Sequence, residues 1–133
     1  MRVFIDTSAY YSLLDRDDAN HRKGREIWQE LIDSDHSLIT NNYVVVETTA
    51  LTQHRLGFAA AVDFQDTFLP LAHIIWIDAD LHGAGAAAWR TAKRRRLSLV
   101  DCVSFEVCRR LGVDGVFAFD RHFKDQGWNL LSP

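Results

Sequence analysis

Cysteine is scarce in this sequence: Cys102 and Cys108 are the only two. Six residues apart on a helix, they face different sides, since neighbours share a face at spacings of three or four. A disulfide is not expected, and a reducing cytoplasm fits. No His/Cys set has zinc-like spacing, because the six histidines are scattered along the chain. No apolar run is long enough to span a membrane. The opening MRVFIDTS reaches an acid after three apolar residues, which matches no signal peptide. No membrane association is expected. A basic excess is missing too: 15 Lys and Arg stand against 18 Asp and Glu, a net charge of −3. The total charge alone therefore does not announce nucleic-acid binding. Repeats, low-complexity tracts and linkers are absent.

What is there is an ordinary globular composition, 47% apolar and 25% charged over 133 residues. That length suits one domain with one core, and a single domain over residues 1–133 is expected. RVFI, SLIT, HIIWI, GVFAFD and WNLL read as strands, and helical patterns lie between most of them. Thr7–Leu14 reads as a short helix. The stretch from Asp17 to Asp35 has helical spacing, with Asp17 or Asp18 as its cap. NNYVVVETTALTQHR reads as a helix capped by Asn41 or Asn42, its valines packing on the sheet. FAAAVDFQDTFL reads as another, stopped at Pro70. Asp78 or Asp80 caps a further helix, and Gly112 closes the next one. The alternation predicts an α/β fold, a three-layer α/β/α sandwich around a parallel sheet of about five strands. Ligands in such folds bind outside the carboxyl ends of the strands.

Four acids fall near those ends. Asp6 directly follows RVFI and Asp120 directly follows GVFAF. Asp101 lies in the first turn of the helix leading to the latter strand, and Glu47 lies one turn into the helix after SLIT. Each acid also has a plain structural explanation. Asp6 can cap the helix at Thr7, Ser98 and Asp101 fit a capping box, and Asp120 suits a turn. Glu47 is too far inside its helix to cap it, which leaves a solvated helix face as the alternative. Together, four carboxylates converging on one cleft would repel one another unless a cation is bound. A hard divalent ion with oxygen ligands, Mg²⁺ or Mn²⁺, resolves that conflict. With those four set aside, fifteen basic residues face fourteen acidic ones, and the run Lys93, Arg94, Arg95, Arg96 becomes a candidate for RNA phosphate contact. The same run also suits the end of a helix with a solvated face.

VFIDTSAYYSLL, VVVETTAL, LSLVDCVSF and GVFAFDRHF, in that order and at those separations, resemble the PIN-domain ribonucleases. The resemblance is strongest to the VapC-type toxins of bacterial toxin–antitoxin pairs, and it covers nearly the whole chain. It implies that Asp6, Glu47, Asp101 and Asp120 form the acidic metal-binding and catalytic quartet. Ser8 would match a small hydroxyl residue after the first acid, and Ser104 a polar position lining the same site. The implied function is a Mg²⁺- or Mn²⁺-dependent endoribonuclease acting on RNA. A homodimer and an inhibiting antitoxin are implied as well. An Arg or Lys of that antitoxin is expected to reach toward Asp6 and Asp101. Tyr10, Tyr11, Leu13, Leu14, Trp28 and Leu31 are expected to be mostly core, with part of the set forming a groove for the antitoxin.

Other classes fit less well. A haloacid-dehalogenase phosphatase needs a second Asp two residues after the first, where this chain has Ser8. A receiver domain needs an acid pair after its first strand, and Asp6 has no acidic neighbour. A PIN-like RNA-processing domain that is not a toxin, or a catalytically silent binding module, would keep the same acids. Metal binding without cleavage of any RNA would mark the silent binding module.

Overall fold

The computed structural model describes residues 1–133. β1 (Arg2–Ile5) forms the centre of the sheet, and its Val3, Phe4 and Ile5 are fully buried. A strand without a polar face needs cover on both sides, which a parallel sheet with flanking helices supplies. β2 (Ser37–Asn41), β3 (His73–Ile75) and β4 (Gly115–Phe117) complete it, all parallel, in the order β3-β2-β1-β4. The expected fifth strand, WNLL, is reduced to a single parallel bridge between Val116 and Leu130. The Trp128 N–H is drawn back to the carbonyl of Phe123 (3.0 Å), so pairing with Val116 begins only at Asn129. The sheet has four strands where about five were predicted, and the α/β architecture is as expected.

The helices follow from local chemistry. α1 (Thr7–Leu14) is capped by Asp6, whose carboxylate accepts from the Ser8 N–H. α2 (His21–Asp33) begins after Asn20, with no side-chain cap. The predicted cap is therefore corrected: Asp18 accepts from the Asn20 N–H (3.0 Å) and shapes the turn before the helix. α3 (Asn42–Leu56) is capped by Asn41, which accepts from the Val44 N–H at 3.0 Å. Its valines do not all face the sheet, because Val44 is fully buried while Val46 is 67% exposed. Helical pitch turns consecutive residues by about 100°, so three in a row cannot share one face.

α4 (Phe58–Asp63) runs on as a π turn over Phe64–Phe68 and a 3₁₀ turn over Leu69–Leu71. The helix predicted up to Pro70 is thus present but changes pitch before the proline, which has no N–H to continue it. α5 (Ala79–Ala92) is capped by Asp78, as predicted. α6 (Leu99–Leu111) opens with the Ser98/Asp101 capping box and closes on Gly112, which is in the left-handed conformation. α7 (His122–Asp125) is a single turn. No helix is long and apolar enough to cross a membrane. Both cysteines are free and buried.

α5 and α6 pack closely at Gly85. A Cβ there would lie 2.4 Å from a Val103 methyl and 2.9 Å from the Val103 Cα. Gly83, on the same helix, has nothing within 4 Å of such a position. Gly85→Ala is expected to lower stability by about 1–2 kcal/mol, overpacking outweighing alanine's helix preference. Gly83→Ala is expected to raise it by about 1 kcal/mol. Urea denaturation of the two variants against wild type checks both signs.

Candidate active site

The strand order reverses between β1 and β4, so the chain leaves these neighbours in different directions and opens a crevice at their carboxyl ends. Asp6 is the first residue after β1, and the Asp6 N–H still bonds the carbonyl of Phe117 in β4 (3.0 Å). Asp120 lies three residues past β4. Asp101 comes in from the first turn of α6, and Glu47 from the second turn of α3. All four line one cleft of about 400 Å³, together with Thr7, Ser8, Asp18, Asn20, Arg55 and Phe119.

Asp6 is 4% exposed and Asp101 9%. Ser8 fixes the first acid: its hydroxyl donates to Asp6 Oδ2 (2.8 Å) and accepts from the Phe119 N–H (2.9 Å). One small side chain thus ties the end of β1 to the segment after β4. Asp101 Oδ2 accepts from the Ser98 N–H (3.0 Å), and Ser98 Oγ accepts from the Asp101 N–H (3.0 Å). The capping explanations for Asp6 and Asp101 are therefore correct, and they do not compete with a place in the cleft. Each acid commits one oxygen to a cap, which freezes the rotamer.

Three of the four carboxyl groups are harder to ionise than usual. Burial raises Asp6 to about 7, outweighing the stabilising bonds from Ser8, with smaller upward pushes from the charges of Asp101 and Glu47. Burial likewise raises Glu47, reinforced by the charges of Asp101 and Asp120. Burial raises Asp101 too, with Asp120 adding to it. No ion pair involves Asp6, Glu47 or Asp101. This donor set fits a divalent cation, which would reverse all three shifts at once.

His122 was missed in the sequence, where the histidines looked scattered. Ligating atoms of Asp101, Asp120 and His122 lie within 4.8 Å of one another. The His122 N–H bonds Asp120 Oδ1 (2.9 Å) and its Nε2 lies 3.6 Å from the same oxygen, while Nδ1 is buried without a partner. The signal was present in FDRHF, where the histidine follows the acid by two residues at a turn. Asn41 was read only as a cap, yet its Nδ2 also donates to Ser104 Oγ (3.1 Å). That pair places Ser104 differently from expectation: it is fully buried beneath the cleft and does not line it. The buried Thr48 donates to Thr7 Oγ1 (3.0 Å) and so supports that part of the cleft lining from beneath. Lys93, Arg94 and Arg95 surround a separate concavity beside α5 and are not part of the acidic wall.

The PIN domain family model matches residues 3–129. The chain is 31% identical to the 23S rRNA-specific endonuclease VapC20 of Mycobacterium tuberculosis, over 98% of both chains. The crystal structure of that protein, described as a sarcin-ricin loop cleaving toxin, superposes with a TM-score of 0.88, covering 98% of this chain and 99% of the other. VapBC2 from Rickettsia felis, crystallised with a promoter DNA fragment, shares the fold at a TM-score of 0.72 and 12% identity, with 98% of each chain covered.

The raised Asp6 carboxyl sets the sign of a pH effect. Between its ordinary value of 3.8 and about 7 the folded chain holds a proton that the unfolded chain releases. Stability without metal therefore falls as pH rises through that window, and the full cost is present above it. In chelator, the unfolding free energy of wild type minus that of Asp6→Asn is expected to drop by a few kcal/mol, roughly, from pH 4 to pH 8. Denaturation series at several pH values measure it, and a flat difference would refute the burial of Asp6.

Proposed function

We propose that this chain, which belongs to the PIN domain family, is a divalent-cation-dependent endoribonuclease and the toxin of a type II toxin–antitoxin pair. The observation that carries this is the convergence of four acids on one cleft at the switch point of the sheet, three of them raised above their ordinary range. Asp6, Glu47, Asp101 and Asp120 would hold Mg²⁺ or Mn²⁺, with His122 beside the last two. When bound, the cation supplies Lewis acidity, easing deprotonation of water and neutralising the phosphodiester.

The chain's own residues do the positioning. Ser8 and the Ser98 box keep Asp6 and Asp101 from splaying apart. Asp120, whose side chain is 35% exposed, stands at the open side, where it can accept a proton from an incoming water. Arg55 lines the same cleft and offers a charge to a non-bridging phosphate oxygen. Water attack of this kind leaves 3′-hydroxyl and 5′-phosphate ends. The identity to a 23S rRNA endonuclease puts large-subunit ribosomal RNA first among substrates to test.

The protein partner has a separate candidate surface. Tyr10, Leu13 and Leu31 are core, as expected, but Leu14 and Trp28 are only partly buried. With Phe68, Arg16 and Arg25 they border a groove of about 590 Å³ between α1, α2 and the turn after α4. An amphipathic antitoxin helix fits such a groove. A second copy of the chain is a further partner: Val46 on α3 and Phe58 on α4 are 67% and 72% exposed, more apolar surface than an isolated helix pair needs to leave open.

Asp101→Asn is expected to lower cleavage of ribosomal RNA by at least about 100-fold while the protein stays folded. Sequencing of RNA 5′ ends after induced expression of wild type and variant checks it. Equal cleavage by the variant would remove Asp101 from the site. Phe58→Glu is expected to shift the protein from dimer to monomer in light scattering. A wild type that is already monomeric would refute the dimer.

A further inference from the structure

We propose that Trp89, Arg90, Lys93, Arg94 and Arg95 form an RNA grip, in which the indole stacks on an unpaired base while the cations hold the flanking phosphates. It rests on the nuclease function proposed above and adds to it a binding site outside the acidic cleft, one that takes an unpaired base of the substrate. These five residues line one concavity of about 610 Å³ at the end of α5. All are exposed, and none of the four cations forms an ion pair. Arg96, also exposed, extends the patch. No acid lies between Asp80 and Asp101. In a chain of net charge −3, that is a strong local concentration of unspent positive charge, and its complement is polyanionic.

The tryptophan decides the class of polyanion. Trp89 is 43% exposed and lines the same concavity as the cations. A duplex hides the faces of its bases, so an indole can stack only on a base that is already unpaired. An acidic protein segment would satisfy the cations but give the indole face nothing specific. The apolar groove beside α1 and α2 is the surface that suits a protein helix.

The backbone adds an independent sign. Lys93 ends α5 in the left-handed conformation (φ 49°, ψ 39°), the only non-glycine residue with positive φ. Glycine is the stable choice there, so stability is given up for an ammonium at the rim. The patch is also well placed. Arg96 is five residues from Asp101, so their Cα atoms are at most about 18 Å apart. The Asp80–Arg110 ion pair at the opposite end of the α5/α6 hairpin (2.6 Å) and the contact at Gly85 hold that geometry. One RNA strand can therefore lie across the patch and enter the acidic cleft.

The test uses the Asp101→Asn protein as a non-cleaving binder and two probes, a stem-loop RNA and a loop-free duplex of equal length. In that background Trp89→Ala is expected to weaken stem-loop binding about tenfold, with Trp89→Phe recovering most of it. Arg94→Ala with Arg95→Ala should lower the slope of log affinity against log salt by about 1.4. Lys93→Gly should raise the melting temperature by about 3 °C yet weaken binding, which no purely structural role produces. Arg109→Glu, at the far end of α6, should leave affinity unchanged. Stem-loop affinity unaffected by Trp89→Ala, or weakened as much by Arg109→Glu, overturns the grip. Variants that lose only an acidic protein partner, with RNA affinity intact, overturn it as well. If wild type cleaves no RNA but Trp89→Ala still loses the stem-loop, the nuclease function fails and the grip stands.

Discussion

The carboxyl group of Asp6 sits almost wholly out of water at the end of a strand with no polar face. Two further acids press toward it, and no basic side chain pairs with it. A folded chain does not keep such an arrangement for stability, since each buried carboxylate without a counter-charge costs free energy. The rest of the structure is arranged around holding it. The switch between β1 and β4 opens the crevice, Ser8 bridges the two strand ends, and Asn41 and Ser104 close the floor. The divalent cation proposed for this cleft would supply the counter-charge that makes the arrangement favourable.

Capping and site-building are done by the same atoms. Asp6 caps α1 and faces the cleft. Asp101 completes the α6 capping box and faces the cleft. The economy has a mechanical consequence: the acids are pinned by backbone N–H groups, so repulsion between them cannot be relieved by rotamer change. Burial raises the carboxyl pKa values and that repulsion adds to the rise, and a bound divalent cation would offset both. The cap bonds and the strained electrostatics are two sides of one design.

Much of this was legible in the residues. The strand–helix alternation and the position of an acid directly after an apolar run depend on local patterning, and both carried through. So did the Ser98/Asp101 box, the Asn41 cap and the Gly112 stop, because capping chemistry is local. The errors were of a different kind. WNLL has strand-like residues, but a turn bond from Trp128 to Phe123 shortens it to one bridge. Val46 belongs to an apolar run yet faces solvent, since periodicity outranks composition. Ser104 was expected on the cleft wall but lies beneath it, and His122 was passed over. Ser104 depends on a contact with Asn41 far away in sequence, which no local pattern reveals, whereas His122 follows Asp120 by two residues in FDRHF and only its approach to Asp101 is long-range.

With its carboxyl raised to about 7 by burial, Asp6 carries a proton near neutral pH that a divalent ion must displace to bind. Calorimetric titration of Mn²⁺ at pH 6.5, repeated in buffers of different ionisation enthalpy, counts displaced protons directly. The account predicts tight binding to wild type with net proton release, and a smaller release in Asp6→Asn. Binding without proton release, or no binding at all, would contradict it.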